Sequence, residues 1–263
     1  MVSNSLEKII NKKKDKLNSL KNKLKIEELR YKIENFNRYF NFKEKIYFNL
    51  LKGKYSLIAE IKKASPSAGV IIENYNPVDI AAIYQKKKAT CLSVLTEEDF
   101  FHGNLDHISK IKEKINLPIL CKDFFIDKFQ VPLAKSFGAD AILLIVAALN
   151  QDQLQELYNA ALEYKMSVVI EIHTIEEAKR ISHFSDAIIG INNRNLKTLE
   201  TDLNNTFEIY KTLNKFKGIL ISESGIKNKD DILRISNQTN IKTFLIGESL
   251  LKNLDNNSIF SLL

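Results

Sequence analysis

Eight short runs of apolar, often β-branched residues recur along the chain from about residue 56, and an amphipathic stretch separates each run from the next. In one such stretch Leu105, Ile108, Ile111 and Ile115 share one face of a helix. Strand and helix patterns that alternate eight times predict parallel βαβ units. The predicted strands are Leu57–Lys62, Cys91–Leu95, Pro118–Lys122, Ala141–Val146, Val168–Ile172, Ala187–Ile191, Gly218–Ser222 and Thr243–Ile246.

The predicted strands are apolar on both faces, which is typical of a parallel sheet that is covered on both sides. A closed barrel pairs every strand edge, and an open doubly wound sheet is the alternative. No G-x-G-x-x-G motif follows a strand, which disfavours a dinucleotide-binding version of the open sheet. With 263 residues, 44% of them hydrophobic, the chain has the length of one barrel. The sequence therefore predicts an α/β protein with a single (β/α)₈ TIM barrel over residues 51–263.

Residues 1–50 are different in character, because they are rich in lysine and contain no proline or glycine. We predict that they form an N-terminal helical extension of two helices. The lysine runs Lys12–Lys14 and Lys86–Lys88 are compatible with nucleic-acid contacts, but interleaved glutamate and asparagine favour a solvated helix face. The apolar residues at helical spacing are Leu6, Ile9, Ile10, Leu17, Leu20 and Leu24.

The composition excludes several classes of protein. No apolar run reaches the roughly 18 residues of a membrane span, and the N-terminus lacks the apolar core of a signal peptide. Cys91 and Cys121 lie in apolar runs without a Cys or His partner nearby. We therefore expect reduced core cysteines in a soluble, unprocessed, cytoplasmic protein. The formal net charge of +7 is compatible with binding to nucleic acid or to an anionic metabolite, and also with a merely lysine-rich composition.

Two prolines give local predictions. Asn76 before Pro77 is typical of a helix start, with asparagine as the cap and proline in the first helical position. Pro132 fits a helix that begins near Phe129, because the proline then lies in the first turn; otherwise the helix must tolerate a kink.

Charged and polar residues collect where the predicted strands end. Glu60 and Lys62 stand two residues apart and so point to the same side of the first strand. Buried charge is costly unless it is paired or faces a polar pocket such as a barrel mouth, and a surface strand with an ion pair is the alternative. Together the strand ends predict a charged basin that holds an anionic ligand. The later ends are Lys122-Asp123, Glu171, Asn192-Asn193-Arg194, Glu223-Ser224-Gly225 and Gly247-Glu248.

The motifs at these ends resemble those of the indole-3-glycerol-phosphate synthase family. The segment Glu60–Ser67 is similar to the signature E-x-K-x-x-S-P-S of that family. The resemblance continues at five further places and so extends over nearly the whole chain. These are Leu95–Glu97 with Phe101–Gly103, Leu120–Asp127, Val169–His173, Ile189–Leu196 and Ser222–Ile226.

The resemblance implies a decarboxylating cyclase of tryptophan synthesis that acts on 1-(2-carboxyphenylamino)-1-deoxy-D-ribulose 5-phosphate. It makes Lys122 the general acid for the ketone oxygen, and we expect other cations to lower the pKa of this lysine. Lys62 is expected to hold the substrate carboxylate or assist dehydration, with Glu60 orienting it. Glu171 is expected to stabilise the developing anilinium charge and transfer protons. The division of acid and base roles stays open. The implied catalytic set is Glu60, Lys62, Lys122, Glu171, Asn192 and Ser224.

Other residues are expected to bind the substrate. Asn192 and Arg194 offer donors for hydroxyls and the carboxylate, and a loop-closing network on the barrel rim is the alternative. The phosphate is expected at Ser224-Gly225 and Gly247-Glu248, where glycine permits close backbone approach and a short helix begins. The implied substrate-binding set is Ser65, Phe101, Phe124, Arg194, Leu196, Glu223, Gly225, Gly247 and Glu248.

Phe101 and Phe124 are expected to sandwich the aryl ring, with plain core residues as the alternative. His102 and His173 lack metal-ligand spacing, so we predict no metal, and the ring closure needs no cofactor. We expect a monomer that binds a small anionic phosphate substrate, and neither nucleic acid nor a membrane.

Two other hypotheses remain. One is a sibling phosphate-binding barrel, such as phosphoribosylanthranilate isomerase or the tryptophan synthase alpha subunit. An isomerase relies on a Cys/Asp pair and the alpha subunit on paired carboxylates, and neither explains Lys62 together with Lys122. The other is a basic protein that binds RNA through residues 1–50, which predicts a salt-sensitive association.

Overall fold

The N-terminal segment forms three helices instead of the predicted two. The computed structural model describes residues 4–263, with side chains from residue 6 onward. Its first helices are α1 (Asn4–Lys23), α2 (Ile26–Glu34) and α3 (Phe42–Leu51). The additional helix α3 is specified locally, because Asn41 caps it by accepting a hydrogen bond from the backbone N–H of Glu44. Since α3 ends at Leu51, the predicted boundary between residues 50 and 51 falls on its last residues.

Eight parallel strands follow one another around a closed barrel. The first and last strands pair from Ser56 with Thr243 to Ala59 with Ile246. This pairing excludes the open sheet and confirms the predicted (β/α)₈ barrel, with every strand end within two residues of its predicted position. The strands are β1 (Ser56–Ile61), β2 (Cys91–Leu95), β3 (Ile119–Lys122), β4 (Ala141–Ile145), β5 (Ser167–Ile172), β6 (Ile188–Asn192), β7 (Leu220–Glu223) and β8 (Thr243–Ile246).

A helix follows each barrel strand. A short hairpin (Ala64–Ser65 with Gly69–Val70) lies between β1 and its helix, and 3₁₀ turns cover Val146–Ala148 and Ser258–Leu262. The helices are α4 (Pro77–Lys86), α5 (Asp106–Lys114), α6 (Gln130–Ser136), α7 (Gln151–Glu163), α8 (Ile175–Arg180), α9 (Asn204–Leu213), α10 (Lys229–Gln238) and α11 (Glu248–Leu251).

Both proline predictions are confirmed. Asn76 caps α4 by accepting hydrogen bonds from the backbone N–H groups of Val78 and Asp79, and Pro77 is the first helical residue. Pro132 is the third residue of α6, so its missing N–H belongs to the first turn, where no intrahelical partner exists. The helix therefore needs no kink.

The hydrophobic core has an inner and an outer layer. Side chains inside the barrel, such as Ile58, Leu120 and Val169, are fully buried, and a second cluster fills the space between the strands and the surrounding helices. Phe42 and Ile46 of α3 belong to the inner layer. α3 thus closes the end of the barrel opposite to the carboxyl ends of the strands.

The two cysteines are core residues, as predicted. Cys91 lies in the inner layer and Cys121 in the outer one, and both are buried and free of a disulfide. Burial raises the pKa of the Cys91 thiol well above its usual range and that of Cys121 to about 12. Neither thiol is therefore suited to the Cys/Asp acid–base pair that the isomerase hypothesis requires.

A buried ion pair joins the segment between α2 and α3 to the barrel. Lys112 Nζ lies 2.5 Å from Asp140 Oδ2, and both side chains are fully buried. Asp140 also accepts hydrogen bonds from the backbone N–H groups of Phe40 and Ile119, both at 2.7 Å. Lys112 donates to the carbonyl of Arg38 and lies over the Phe40 ring. This network fixes the path by which the chain runs from the extension into the barrel.

Candidate active site

A cavity of about 870 Å³ opens at the carboxyl ends of the barrel strands. Within the described residues, every predicted site residue lines this cavity except Glu223, which is fully buried. The motifs scattered along the sequence therefore converge on one site. The lining residues that were absent from the predicted set include Leu6, Ile9, Pro66, Lys227 and Lys252.

Glu60 links the two lysines of the predicted catalytic set. Its Oε1 lies 2.6 Å from Lys62 Nζ, and its Oε2 lies 2.9 Å from Lys122 Nζ. Burial alone would raise the pKa of Glu60, but Lys122 and Lys62 outweigh it and lower that pKa from 4.5 to about 2. The carboxylate therefore stabilises the fold above about pH 4.5, and this contribution is lost as the pH falls towards 2. The surface ion pair considered as an alternative is wrong, because Glu60 is only 4% exposed.

The expectation that Lys122 lies among cations is wrong. Its Nζ lies between carboxylates, 2.9 Å from Glu60 and 3.4 Å from Glu223. Burial opposes the charged form, yet Glu60, Glu223 and Glu171 together raise the pKa of Lys122 above its ordinary value. Lys122 is thus an ammonium at neutral pH, so both its charge and its proton are available to a reacting oxygen, although the carboxylates do not increase its acidity.

Glu171 and Glu223 form a buried carboxyl pair beneath Lys122. Burial and the neighbouring Glu171 raise the pKa of Glu223. Burial also opposes ionisation of Glu171, but His173 and Lys122 outweigh it and lower the pKa of Glu171. Glu171 Oε2 and Glu223 Oε1 are both buried without a hydrogen-bond donor among the described residues, and one proton held by Glu223 relieves the repulsion between these two groups. Glu223 therefore supports the site from below instead of lining it.

Asn192 and Arg194 belong to the rim network and the cavity at once. Asn192 Oδ1 accepts a hydrogen bond from the backbone N–H of Arg194, and Arg194 Nη1 donates to the carbonyl of Leu199 at 2.7 Å. A β-bridge between Arg194 and Thr201 closes the same loop. Both side chains line the cavity, so the network fixes their position while the remaining donors of the guanidinium can face a ligand.

The two glycines of the predicted phosphate site lack a side chain for different reasons. Ser224 and Gly225 both have positive φ, 67° and 78°, so their backbone adopts a turn at the end of β7. A Cβ on Gly247, in contrast, would lie 2.3 Å from Glu60 Oε1. Gly247 therefore makes room for Glu60, and since it also lines the cavity, its expected close backbone approach to the phosphate stays a prediction.

Basic side chains line the same cavity as the turn at the end of β7. Lys227 and Lys252 line the cavity together with Arg194 and Lys62. Lys252 Nζ lies 2.6 Å from Glu248 Oε1, one helical turn away, and this contact lowers the pKa of Glu248. Lys252 could have been found in the sequence by its spacing of four residues from Glu248. Lys227 could have been found by its place just after Gly225.

Helix α1 crosses the barrel mouth; Lys12 and Lys14 of its lysine run are solvated, as predicted, but Lys13 between them is buried. Lys13 Nζ lies 2.6 Å from Asp123 Oδ1, with side chains only about 10% and 9% exposed. Lys16 contacts Asp99 and Glu98 in the loop after β2. The predicted solvated face is therefore wrong at Lys13, because barrel carboxylates neutralise this face of the helix.

Phe101 and Phe124 lie side by side, with ring centroids 6.3 Å apart and planes tilted by 40°. A ring inserted between two others needs centroids about 7 Å apart, since carbon atoms in contact are separated by about 3.5–4 Å. In this arrangement the two rings form one apolar wall of the cavity, and the expected sandwich stays a prediction.

Within residues 4–263, no helix has the length and apolar character to cross a membrane. Over the same part of the chain, no three His, Cys, Asp or Glu side chains are grouped as a metal site.

Comparisons with known proteins agree with the geometry of the site. A family model described as indole-3-glycerol phosphate synthase matches residues 6–262. An indole-3-glycerol phosphate synthase from Prochlorococcus marinus subsp. pastoris is 42% identical over 257 residues, which cover 96% of this chain and 86% of that protein. Another, from Priestia megaterium, is 48% identical over 198 residues, or 75% of this chain and 77% of that protein.

A solved structure of the tryptophan synthase alpha chain from Legionella pneumophila subsp. pneumophila is similar in fold. Its TM-score is 0.61 over 84% of this chain and 94% of that chain, at 11% identity. Identity this low shows the fold alone. The family match, in contrast, extends over nearly the whole chain and is supported by full-length relatives. The chain belongs to the indole-3-glycerol phosphate synthase family, the decarboxylating, ring-closing lyases of tryptophan biosynthesis.

Proposed function

We propose that the protein catalyses ring closure of 1-(2-carboxyphenylamino)-1-deoxy-D-ribulose 5-phosphate to indole-3-glycerol phosphate, with loss of CO₂ and water. The reaction takes place in the cavity at the barrel mouth. The observation that supports this assignment best is the chain of contacts from Lys62 through Glu60 to Lys122. It holds two ammonium groups in one cavity, and the substrate brings a carboxylate and a ketone that each require a cation nearby.

The proposed chemistry begins at Lys122. The aryl carbon that carries the carboxylate attacks the ketone carbon, and the carbonyl electron pair moves to oxygen, which takes a proton from the Lys122 ammonium. The ring nitrogen gains positive charge in this step. Cleavage of the bond to the carboxylate then releases CO₂ and returns an electron pair to the ring. Departure of the hydroxyl as water, with loss of a ring proton, completes the indole.

Glu171 is proposed to act as the counterion and the base in these reaction steps. It is ionised because His173 and Lys122 lower its pKa, although burial opposes its charge. It lines the cavity, so its carboxylate can face the cationic ring nitrogen and later take the proton that dehydration releases. Lys62 is proposed to hold the substrate carboxylate before CO₂ leaves.

The phosphate is proposed to bind at the turn formed by Ser224 and Gly225. Lys227, Lys252 and Arg194 line the same cavity and can neutralise a dianion there. Lys252 can leave its contact with Glu248 for a phosphate at modest cost, because this ion pair is partly exposed.

The experiment that tests the function follows indole fluorescence when purified protein is mixed with the carboxyphenylamino substrate. We expect formation of indole-3-glycerol phosphate without added metal. Isomerisation of a phosphoribosyl anthranilate, or release of indole from indole-3-glycerol phosphate, would assign the cavity to one of the sibling barrels. The RNA-binding hypothesis loses its basis at Lys13 and Lys16, which contact barrel carboxylates.

Replacing Gly225 with alanine should raise KM for the phosphate-bearing substrate by about tenfold, the equivalent of about 1.4 kcal/mol. The new Cβ would lie 3.0 Å from Thr201 Cβ and would strain a backbone at φ +78°. Gly53→Ala is the matched control, since Gly53 has φ +68° and no atom closer than 4.0 Å. Both variants should lose stability in thermal unfolding through the backbone strain at positive φ, and Gly225→Ala somewhat more because of its contact with Thr201. An unchanged KM for Gly225→Ala would place the phosphate elsewhere.

Replacing Glu60 with glutamine should move the alkaline limit of kcat to lower pH. Glu60 is the carboxylate nearest to Lys122, and loss of an opposite charge at this distance lowers a lysine pKa by about 1–3 units. The profile of kcat from pH 6 to 11 measures the shift, with the exposed Glu208→Gln as control. If the two profiles coincide, Glu60 does not set the charge of Lys122.

A further inference from the structure

The imidazole of His173 lies behind Glu171, between two carboxylates. Its Nε2 is 3.3 Å from Glu171 Oε1, and its Nδ1 is 3.6 Å from Glu177 Oε2. These are ion-pair separations without a well-aligned hydrogen bond. The ring is 7% exposed and does not line the cavity. His173 can therefore act on the substrate only through Glu171.

The first turn of α8 holds this arrangement in place. Glu177 Oε2 accepts a hydrogen bond from the backbone N–H of His173 at 2.6 Å. Thr174 caps α8 by accepting one from the backbone N–H of Glu177. On the other side, the Asn205 amide donates to the carbonyls of both His173 and Asn192. The carboxylate of Glu177 and the end of β5 are thus fixed relative to each other.

The charges around the ring favour its protonated form. Burial opposes the charge, but Glu171 and Glu177 outweigh it and raise the pKa of His173 from 6.5 to about 10. The charged groups that face the ring come from β5 and α8, namely Glu171 and Glu177. Lys122 and Glu223 lie beyond Glu171, and α9 contributes only the neutral amide of Asn205.

The imidazolium behind Glu171 determines which of the two buried carboxyl groups, Glu171 or Glu223, holds the proton. Glu171 and Glu223 cannot both be charged at little cost, because each is almost fully buried. The imidazolium adjoins Glu171 and stabilises the charge on that member, which leaves the proton on Glu223. Glu171, the member that lines the cavity, is then the base.

We propose that His173 is a positioning residue which, held as an imidazolium by Glu177, keeps Glu171 as the ionised member of the Glu171–Glu223 pair. The inference rests on the proposed role of Glu171 in the ring closure. It adds that the residue pair His173 and Glu177, outside the cavity, sets the pH range in which the site works.

Nuclear magnetic resonance of protein labelled in its histidine rings tests the charge without any substrate. The chain has four histidines, and His173→Gln identifies the signal. We expect the His173 ring to stay protonated at pH 8 and its pKa to fall by about 1 unit or more in Glu177→Gln. Glu176→Gln, on an exposed residue of the same helix turn, is the control and should change nothing. A neutral wild-type ring at pH 7.5 overturns the proposal.

The kinetic arm measures kcat and KM against pH for His173→Gln. Loss of the cation raises the pKa of Glu171, so the acid limit of kcat should move upward by about 1–2 pH units, while KM changes little. An equal loss of kcat at every pH, or an unshifted profile, assigns His173 a merely structural role and overturns the proposal. If the wild-type protein forms no indole product, the proposed function fails, and the resonance experiment still decides whether His173 is charged.

Discussion

Lys122→Ala is expected to lower kcat by roughly 10²–10⁴-fold, the range that a positioned general acid contributes. The ammonium lies 2.9 Å from Glu60 and 3.4 Å from Glu223, in the cavity where the ketone oxygen is proposed to gain its proton. Because Lys122 neutralises buried carboxylates, its removal should also lower the melting temperature, and Glu223 should bind its proton more tightly. Steady-state kinetics and thermal unfolding of the same sample separate the two effects.

Lys122→Arg distinguishes proton donation from charge. Arginine keeps the positive charge between Glu60 and Glu223, so the melting temperature should stay near that of the wild type. Its guanidinium does not give up a proton in proteins, so kcat should remain low. An arginine variant that turns over as fast as the wild type would contradict the acid assignment and leave Lys122 an electrostatic role only.

The parts of the site that could be predicted from the sequence depend on short-range geometry. Side chains two residues apart on a strand point to one side, which was enough to bring Glu60 and Lys62 together. Strand ends in a parallel barrel meet at one rim, which was enough to bring Lys122, Glu171 and Ser224 to the same cavity. Neither inference needed the positions of distant residues.

The parts that could not be predicted depend on contacts across the barrel. Lys122 was expected among cations, but its neighbours Glu60 and Glu223 come from strands 62 and 101 residues away in the sequence. The space beside Gly247 looks open in the sequence, yet Glu60 from β1 fills it. The stagger of the strands determines which interior side chains meet, and no local sequence pattern predicts that stagger.

The individual contacts of the N-terminal extension could not be predicted from local patterns either. Helical periodicity predicts that α1 is a helix, but the contact of Lys13 with Asp123 joins residues far apart in the chain. That contact depends on how the segment between α2 and α3 turns towards the barrel. This segment is fixed by Asp140 and Lys112, two charges that look like ordinary surface residues in the sequence.

Asp140→Asn is expected to lower the free energy of unfolding by about 3–5 kcal/mol, because it leaves the Lys112 ammonium buried without its counterion. Burial already opposes the charge on both partners, lowering the pKa of Lys112 and raising that of Asp140. For a chain of this size, each kcal/mol shifts the melting temperature by about 2–4 °C, so the expected loss is roughly 6–20 °C. Urea unfolding gives the free energy directly.

A double variant and a surface pair serve as controls for this result. Lys112→Met combined with Asp140→Asn removes both charges, and it should be more stable than Asp140→Asn alone, because no buried ion is left unpaired. Lys211→Met breaks a pair whose side chains are 69% and 58% exposed, and it should change the free energy of unfolding by less than about 0.5 kcal/mol. If Asp140→Asn behaves like Lys211→Met, the buried pair does not hold the extension to the barrel, and the backbone contacts of Phe40 and Ile119 suffice.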